Sequence, residues 1–512
     1  MSIPILPAIA LSSLLYASVL VIYRLWFSPI ASFPGPLLAK CTFLYEFYYD
    51  WVRCGQFYIK IEELHKEYGP IIRITPSELH VREPLFYHDL YVTRAVRKSD
   101  AYRGFTQGAG FDDITAVSIP HDTHRAVRAA LSPLFSPSGL RRVEHRVLAC
   151  VRKLATRLEE RVDMGVPVNL SDAFASFSTD VTSALFHEEP GTFLDEPTFN
   201  AAWWKMLTMG VVSVPLIMQL PWVARLVTTP ILRFVTERST NWRLWHDISR
   251  IRARALQKAI KPGCEDGEIT TLTAFDGLVQ DPLVSSMLGD KAFVRLSTLI
   301  QQAATHNPSQ ALSLLVYFLL QNPEHEAALR RALEPLFTKT SKNTTSNDRL
   351  LPSLHELENV PYLVACVREG LRIGSGNMKR IPRVFPDDEV VFHEWTIPRG
   401  IAVSMTPYWI HMDPDVFPIP HVFNPCRWLE SSPEELALMN RYFIPFSKGS
   451  RVCLGKDVSY MQIYYTLALL FSPGFPQLNM YDTAEDDVKP ALGLFFSIPR
   501  LDAKGLRVLL GR

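Results

Sequence analysis

A mainly helical fold with small β-sheets, preceded by one N-terminal transmembrane helix, is predicted by three features of the sequence. Met1 to Tyr23 carries no charged side chain, and Ile3 to Tyr23 is apolar and just long enough to cross a bilayer as one helix. Residues 140–260 read as mainly helical, and Asp290 to Gln321 as one long helix with an apolar stretch from Ala311 to Leu320. Strand-like segments are short: Ile71 to Thr75 and Leu79 to Val81 flank a Pro76-Ser77 turn, and others between Arg383 and Met405 are joined at Pro398-Arg399-Gly400.

Arg24, Trp26 and Phe27 follow the apolar run as an interfacial anchor. The uncharged start and the length of the run favour a retained anchor over a cleaved signal peptide. Phe33-Pro34-Gly35-Pro36 makes a stiff hinge that no helix can cross. The expected division is therefore an anchor over 1–24, a proline-rich hinge over 25–40 and a catalytic domain over 41–512. Positive residues after the anchor favour a cytosolic domain, which leaves the sequons at Asn169 and Asn343 unused.

With 47% hydrophobic and 21% charged residues the chain builds a large core and is not disordered. A net charge of +1 gives no general attraction to nucleic acid. Seven scattered cysteines, with no C-x-x-C pair, argue against a disulfide framework or a zinc site and suit a reducing compartment.

Phe57 to Tyr68 reads as an amphipathic helix stopped by Gly69-Pro70, and Asp100 to Ile119 as a glycine-bearing loop. His124 and Arg128 lie four apart behind Pro120 and share one helix face. Trp203 to Val235 is unusually apolar and broken by Pro215, Pro221 and Pro230, so it is not expected to form a second span. Thr338 to Asn347 reads as an exposed loop, Ser353 to Glu356 as a capping box, and Pro361 as the start of a helix holding Glu369 and Arg372 on one side.

The densest chemistry lies in Phe446-Ser447-Lys448-Gly449-Ser450-Arg451-Val452-Cys453-Leu454-Gly455. A thiolate is a strong iron ligand, flanking glycines allow close approach to a metal group, and a nearby arginine neutralises an anion beside it. This Phe-x-x-Gly-x-Arg-x-Cys-x-Gly pattern resembles the haem-binding signature of the cytochrome P-450 family. The resemblance covers nearly the whole chain, and the local wording, such as Glu67-Tyr68-Gly69-Pro70, looks like fungal enzymes of terpenoid or polyketide biosynthesis.

It implies the family's mainly helical fold and haem b, with Cys453 as axial thiolate and Phe446, Gly449, Arg451 and Gly455 forming its loop. His124, Arg128 and Arg383 would reach the propionates, and Glu369, Arg372 and Arg427 would form a buried triad that locks the haem-binding segment. The segments Asp100 to Ile119 and Leu492 to Phe496 would line the substrate, and 203–235 would be an access lid touching the membrane. The implied activity is monooxygenation of an apolar small molecule, with electrons from an NADPH-dependent flavoprotein reductase docked at Lys448, Lys456 and Arg125. The implied place is the endoplasmic reticulum membrane, single-pass. A haem-thiolate isomerase, lyase or dehydratase needing no reductase, and a non-catalytic haem protein, are the competing readings.

One departure stands out. In Ala303-Ala304-Thr305-His306-Asn307-Pro308 a histidine stands where the family has an acid and an asparagine where it has an alcohol. Thr305, His306 and Asn307 are the candidate oxygen-activating residues. Either His306, with water, acts as the proton shuttle, or the iron acts on an already activated substrate.

Overall fold

The computed structural model describes residues 5–92, 98–105, 120–133, 135–186, 191–220, 222, 290–341, 351–374 and 376–511. Helix α1 (Ile5–Ile22) continues as a wider turn, Tyr23–Phe27. The span Pro7–Phe27 is long and apolar enough to cross a membrane and has no buried residue in its window, while Arg24 near its end donates to the Cys41 carbonyl at 2.6 Å. The proline hinge, by contrast, is docked. Ile30 and Phe33 are buried, and the Arg73 amide donates to the Pro34 carbonyl at 2.7 Å. Gly35 (φ +143°) lies so close to Arg73 that a Cβ would strike its carbonyl oxygen.

Helix α2 (Phe57–Tyr68) ends where Gly69 adopts φ +97°, and β1 (Ile71–Thr75) turns back into β2 (Glu78–Val81) with Ile71 opposite Val81. The sheet adds β3 (Asp100–Ala101), β4 (Arg383–Val384) and β5 (Ala402–Ser404) in the order β1-β2-β5-β4-β3. Ala101 faces Arg383 across β3 and β4, so this edge delivers a buried arginine to the centre of the molecule.

Helices α3 (His121–Leu131), α4 (Pro137–Glu159), α5 (Leu170–Phe186) and α6 (Ala201–Gln219) follow. Pro215 does not break α6, contrary to the sequence expectation. The carbonyl it leaves without a donor is that of Val211, and burial of Trp203, Leu207, Val211 and Met218 along one side holds the helix together. By length and composition α6 is thus a second helix able to cross a membrane, with 28% of its window buried. Of the expected lid, 223–235 lies outside the described residues, as do 106–119 of the expected substrate loop and Asn343.

The long helix α7 (Asp290–Gln321) runs through the centre, packed on α5, on α9 (Pro361–Gly374) and on α11 (Lys456–Leu470). Gly370 permits the close approach of α9 to α7, because a Cβ there would lie 2.8 Å from Leu315 Cδ1. Helix α8 (Pro323–Ser341) carries Thr338 to Ser341 in its last turn, so the polar loop expected from Thr338 begins later. Ser353 and Glu356 form the expected capping box. Helix α10 (Pro433–Tyr442) precedes the cysteine loop, and β6 (Leu492–Gly493) pairs with β7 (Ser497–Ile498) through a tight turn.

Glu369 and Arg372 on α9 are fully buried, so theirs is not a surface ion pair. Arg372 donates Nε to Glu369 Oε2 at 3.0 Å and Nη2 to Oε1 at 2.8 Å. Arg427 donates Nε to Oε1 at 3.0 Å and Nη1 to the Pro418 carbonyl at 2.6 Å. Removing one member of such a network strands the other charges in low dielectric, at a cost of about 3–5 kcal/mol. Glu369→Ala is accordingly expected to lose that much stability and to fail to take up haem. Urea unfolding and the Soret absorbance of the purified variant check both, and a stable, haem-loaded variant would contradict the assignment.

Candidate active site

The cysteine loop bridges the end of α10 and the start of α11. It is closed by the Cys453 amide donating to the Phe446 carbonyl at 2.9 Å and the Val452 amide donating to Gly449 at 3.2 Å. Phe446 packs against the Tyr460 ring of α11 at 5.2 Å between centroids. Gly449 adopts φ +81°, and a Cβ there would strike the Tyr91 carbonyl oxygen, so only glycine fits. Lys448 donates its ammonium to the carbonyls of Asn440 and Arg441, capping α10. Of the expected reductase-docking set, Lys456 and Arg125 are therefore the exposed cations, while Lys448 is half-buried and occupied.

Cys453 is exposed on the loop, while the protein around it pushes its thiol above the usual range. The Gly455 amide and Arg128 pull the thiol pKa down without reversing the effect of burial. A Cβ on Gly455 would meet no atom within 4 Å, which leaves room for a flat group laid over the loop. A bound metal cation, not the protein alone, is what would hold this sulfur as a thiolate.

Four cationic or titratable side chains converge beside the loop. Helix α3 supplies His124 and Arg128, β4 supplies Arg383, and the loop supplies Arg451. Arg128 donates Nη1 to the Val452 carbonyl at 2.6 Å, and Arg451 donates Nη2 to the Ser99 carbonyl at 3.4 Å. The Arg383 guanidinium lies 5.3 Å above the Tyr91 ring and donates to the Pro382 carbonyl at 3.2 Å. Burial and then the neighbouring arginines Arg451, Arg128 and Arg383 lower the His124 pKa to about 3. Burial and then Arg383 lower that of Arg451 to about 10, with Asp100 acting in the opposite sense. Among the described residues neither Arg128 nor Arg383 forms an ion pair with a carboxylate. This excess of positive charge, with Arg383 buried and Arg128 and Arg451 half-buried, fits a group with two carboxylates, as haem has, and the donor set as a whole fits haem.

On α7 the three candidate residues separate. Thr305 is buried against α5, its hydroxyl 3.2 Å from that of Thr179 and 3.4 Å from Gln301 Nε2, so it is committed to helix packing. Asn307 is half-buried, and its carboxamide oxygen would lie 3.7 Å from a Cβ on Gly376. Ala303, Ala304 and Asn307 are the more open positions of this turn, at helical spacing.

His306 departs from the expected shuttle. It is 1% exposed, neither ring nitrogen has a hydrogen-bond partner, and burial lowers its pKa to about 3. A shuttle must titrate near working pH and touch water, and this ring does neither. It lies between Trp204 of α6, 4.8 Å away, and Phe496 of the β6–β7 turn, 5.3 Å away. The sequence reading missed Trp204 as a partner of His306, because nothing in a one-dimensional pattern places α6 over α7. Leu492, Leu494 and Phe496, expected in the substrate wall, do form an apolar cluster with Val211 of α6, against which Ala303 packs.

Between about 3 and 6.5 the unfolded chain binds a proton at His306 that the folded chain refuses. Stability therefore rises with pH across that window and is lost as pH falls through it. His306→Phe is expected to flatten the dependence by up to one proton, about 1.4 kcal/mol per pH unit. Urea midpoints of both proteins at several pH values in the window check this, and parallel curves would contradict the buried neutral ring.

The family model described as Cytochrome P450 matches residues 43–473. A Cochliobolus heterostrophus protein named cytochrome P450 monooxygenase oblB is 38% identical over 508 residues, covering 98% of this chain and 95% of its own. Fusicoccadiene C-8 hydroxylase from Alternaria brassicicola is 35% identical, covering 99% and 96%. Tryptophan 6-hydroxylase fscE from Fusarium equiseti is 34% identical, covering 100% and 98%.

Proposed function

The chain belongs to the cytochrome P450 family and is a haem-thiolate monooxygenase; from that premise we propose that it holds haem b at Cys453 and oxygenates a cyclic terpenoid in fungal secondary metabolism. The observation that carries the cofactor assignment is the Cys453 loop, with its open face over Gly455 and the arginines Arg128, Arg383 and Arg451 beside it. Haem bound through a thiolate supplies oxygen activation driven by two electrons. The chain's own residues do the rest. The Gly455 amide donates to the sulfur, and His124, Arg128, Arg383 and Arg451 receive the propionates. Asn307 orients a water on the oxygen-binding side, since an amide donates and accepts hydrogen bonds but is a poor proton relay. The apolar cluster of Val211, Leu492, Leu494 and Phe496 fits a hydrocarbon skeleton. The terpenoid class is supported by the name of the fusicoccadiene hydroxylase relative.

A redox partner is required, and an NADPH-dependent flavoprotein reductase docking near Lys456 and Arg125 fits the exposed cations on this side. The segment 1–24 would be the anchor, in the endoplasmic reticulum membrane, with the catalytic domain in the cytosol. The reductase-free readings lose ground because the relatives named above are a monooxygenase and two hydroxylases.

Cys453→His is expected to abolish the thiolate-type band of the reduced carbon-monoxide complex, and persistence of that band would remove Cys453 as ligand. Deleting residues 1–24 is expected to release part of the protein from membranes while leaving the haem spectrum intact, as fractionation and absorbance would read. The apolar helix α6 retains some membrane affinity in that variant. Loss of haem on deletion would make the segment part of the core.

A further inference from the structure

Among the described residues of α7, His306 is the buried polar side chain left without a hydrogen-bond partner. On the same helix Gln301, Thr305, Ser309, Gln310 and Ser313 all find partners on α5, on α7 itself or on the Val488 carbonyl. The His306 ring has none at Nδ1 or Nε2, although it is 1% exposed. Stranding a buried polar group costs about 1–3 kcal/mol, and a phenylalanine of similar shape would sit between Trp204 and Phe496 without that cost. A partner that arrives from outside the chain accounts for the arrangement.

The two faces of the clamp differ. Phe496 is buried in the β6–β7 turn. Trp204 is half-buried, beside Trp203, which is buried and pinned by its indole N–H donating to the Thr179 hydroxyl at 3.0 Å. Trp204 is therefore the face that can yield while α6 stays in place, and Phe496 on the other face belongs to the apolar cluster against which Ala303 packs.

We propose that His306 is a recognition site for an oxygen substituent on the substrate, a hydroxyl or carbonyl carried by an apolar skeleton that displaces the Trp204 indole. The proposal rests on the monooxygenase reading and refines its substrate class. A neutral imidazole offers one donor and one acceptor, which matches a neutral alcohol and, through its N–H, a carbonyl. It does not match a carboxylate, because the ring stays uncharged and no cation among the described residues acts on it. The enzyme then acts on a skeleton that already bears oxygen. The step before it must be an oxygenation, or a cyclisation terminated by water.

The test uses haem-loaded enzyme and a ligand series that differs at one carbon: abietadiene, abietadienol, abietadienal and abietic acid. Affinity is read from the substrate-induced shift of the Soret band, for wild type, His306→Phe and His306→Gln. Wild type is expected to bind the alcohol or aldehyde about tenfold tighter than the hydrocarbon, the worth of one net hydrogen bond, and to show no such gain for the acid. His306→Phe is expected to bring the ratio near one, and His306→Gln to keep part of it. The ligand-free His306→Phe enzyme is expected to melt at or above the wild-type temperature at pH 7. Equal affinities across the series in wild type, no binding by any member, a ratio unmoved in His306→Phe, or a lower melting temperature of that variant each overturns the proposal. If the enzyme oxygenates the hydrocarbon with reductase and NADPH while showing equal affinities, the monooxygenase reading stands and this inference alone falls.

Discussion

Glu369 accepts five hydrogen bonds: two from Arg372, one from Arg427, one from the Asn424 amide and one from the Trp428 indole. A carboxylate at the bottom of a protein is tolerable only when its lone pairs are filled in this way. The donors come from α9 and from the segment 424–428, which the chain reaches only after passing through β4 and β5. Their join leaves that segment little freedom, and the residues that follow it lead through α10 into the Cys453 loop. His411 extends the same frame: its carbonyl accepts from Arg372 at 2.9 Å, and its Nε2 accepts from the Ile444 amide at 2.9 Å. The placement of a single sulfur thus depends on a charge network that takes no part in chemistry.

A second network serves the other side of the sheet. Arg380 donates to Glu78 at 2.6 and 2.9 Å and to Glu46 at 2.8 Å, and Lys379 donates to Asp50 at 2.9 Å. Three buried acids face two buried bases here, whereas among the described residues Arg128 and Arg383 beside Cys453 form no ion pair with a carboxylate. The fold neutralises its internal charge where stability alone is at stake. It leaves positive charge unbalanced where an anionic group is to be received.

Much of this was legible in the sequence because it is local. Gly69 stops α2, Ser353 and Glu356 cap their helix, and the bounds of α7 follow from its own periodicity and Asn322-Pro323. The cysteine loop was legible because its residue pattern is contiguous, although the partners that require Gly449 and hold Arg451, namely Tyr91 and Ser99, are distant in sequence. What the sequence concealed is non-local. Pro215 reads as a helix breaker, but burial of the side chains around it outweighs the one hydrogen bond it removes. The hinge at Phe33 to Pro36 reads as a linker, and only the neighbouring Arg73 strand makes it part of the core. Lys448 reads as a surface cation, and its use as a helix cap depends on where α10 ends.

The residues Thr305, His306 and Asn307 show the limit most clearly. Adjacent positions on a helix point about 100° apart, so three neighbours cannot share one task. Thr305 turns to α5, His306 to Trp204 and Phe496, and Asn307 to the side of Gly376. A linear motif invites the view that a histidine in an acid's place inherits the acid's role. The helix instead gives that position a dry aromatic clamp, where a carboxylate would be as costly as an imidazolium. Neutrality is what the site demands of the residue, and a neutral imidazole meets that demand while keeping a donor and an acceptor. The His306 ring is thereby removed from proton traffic, and the half-buried Asn307 is the more open polar side chain of the turn.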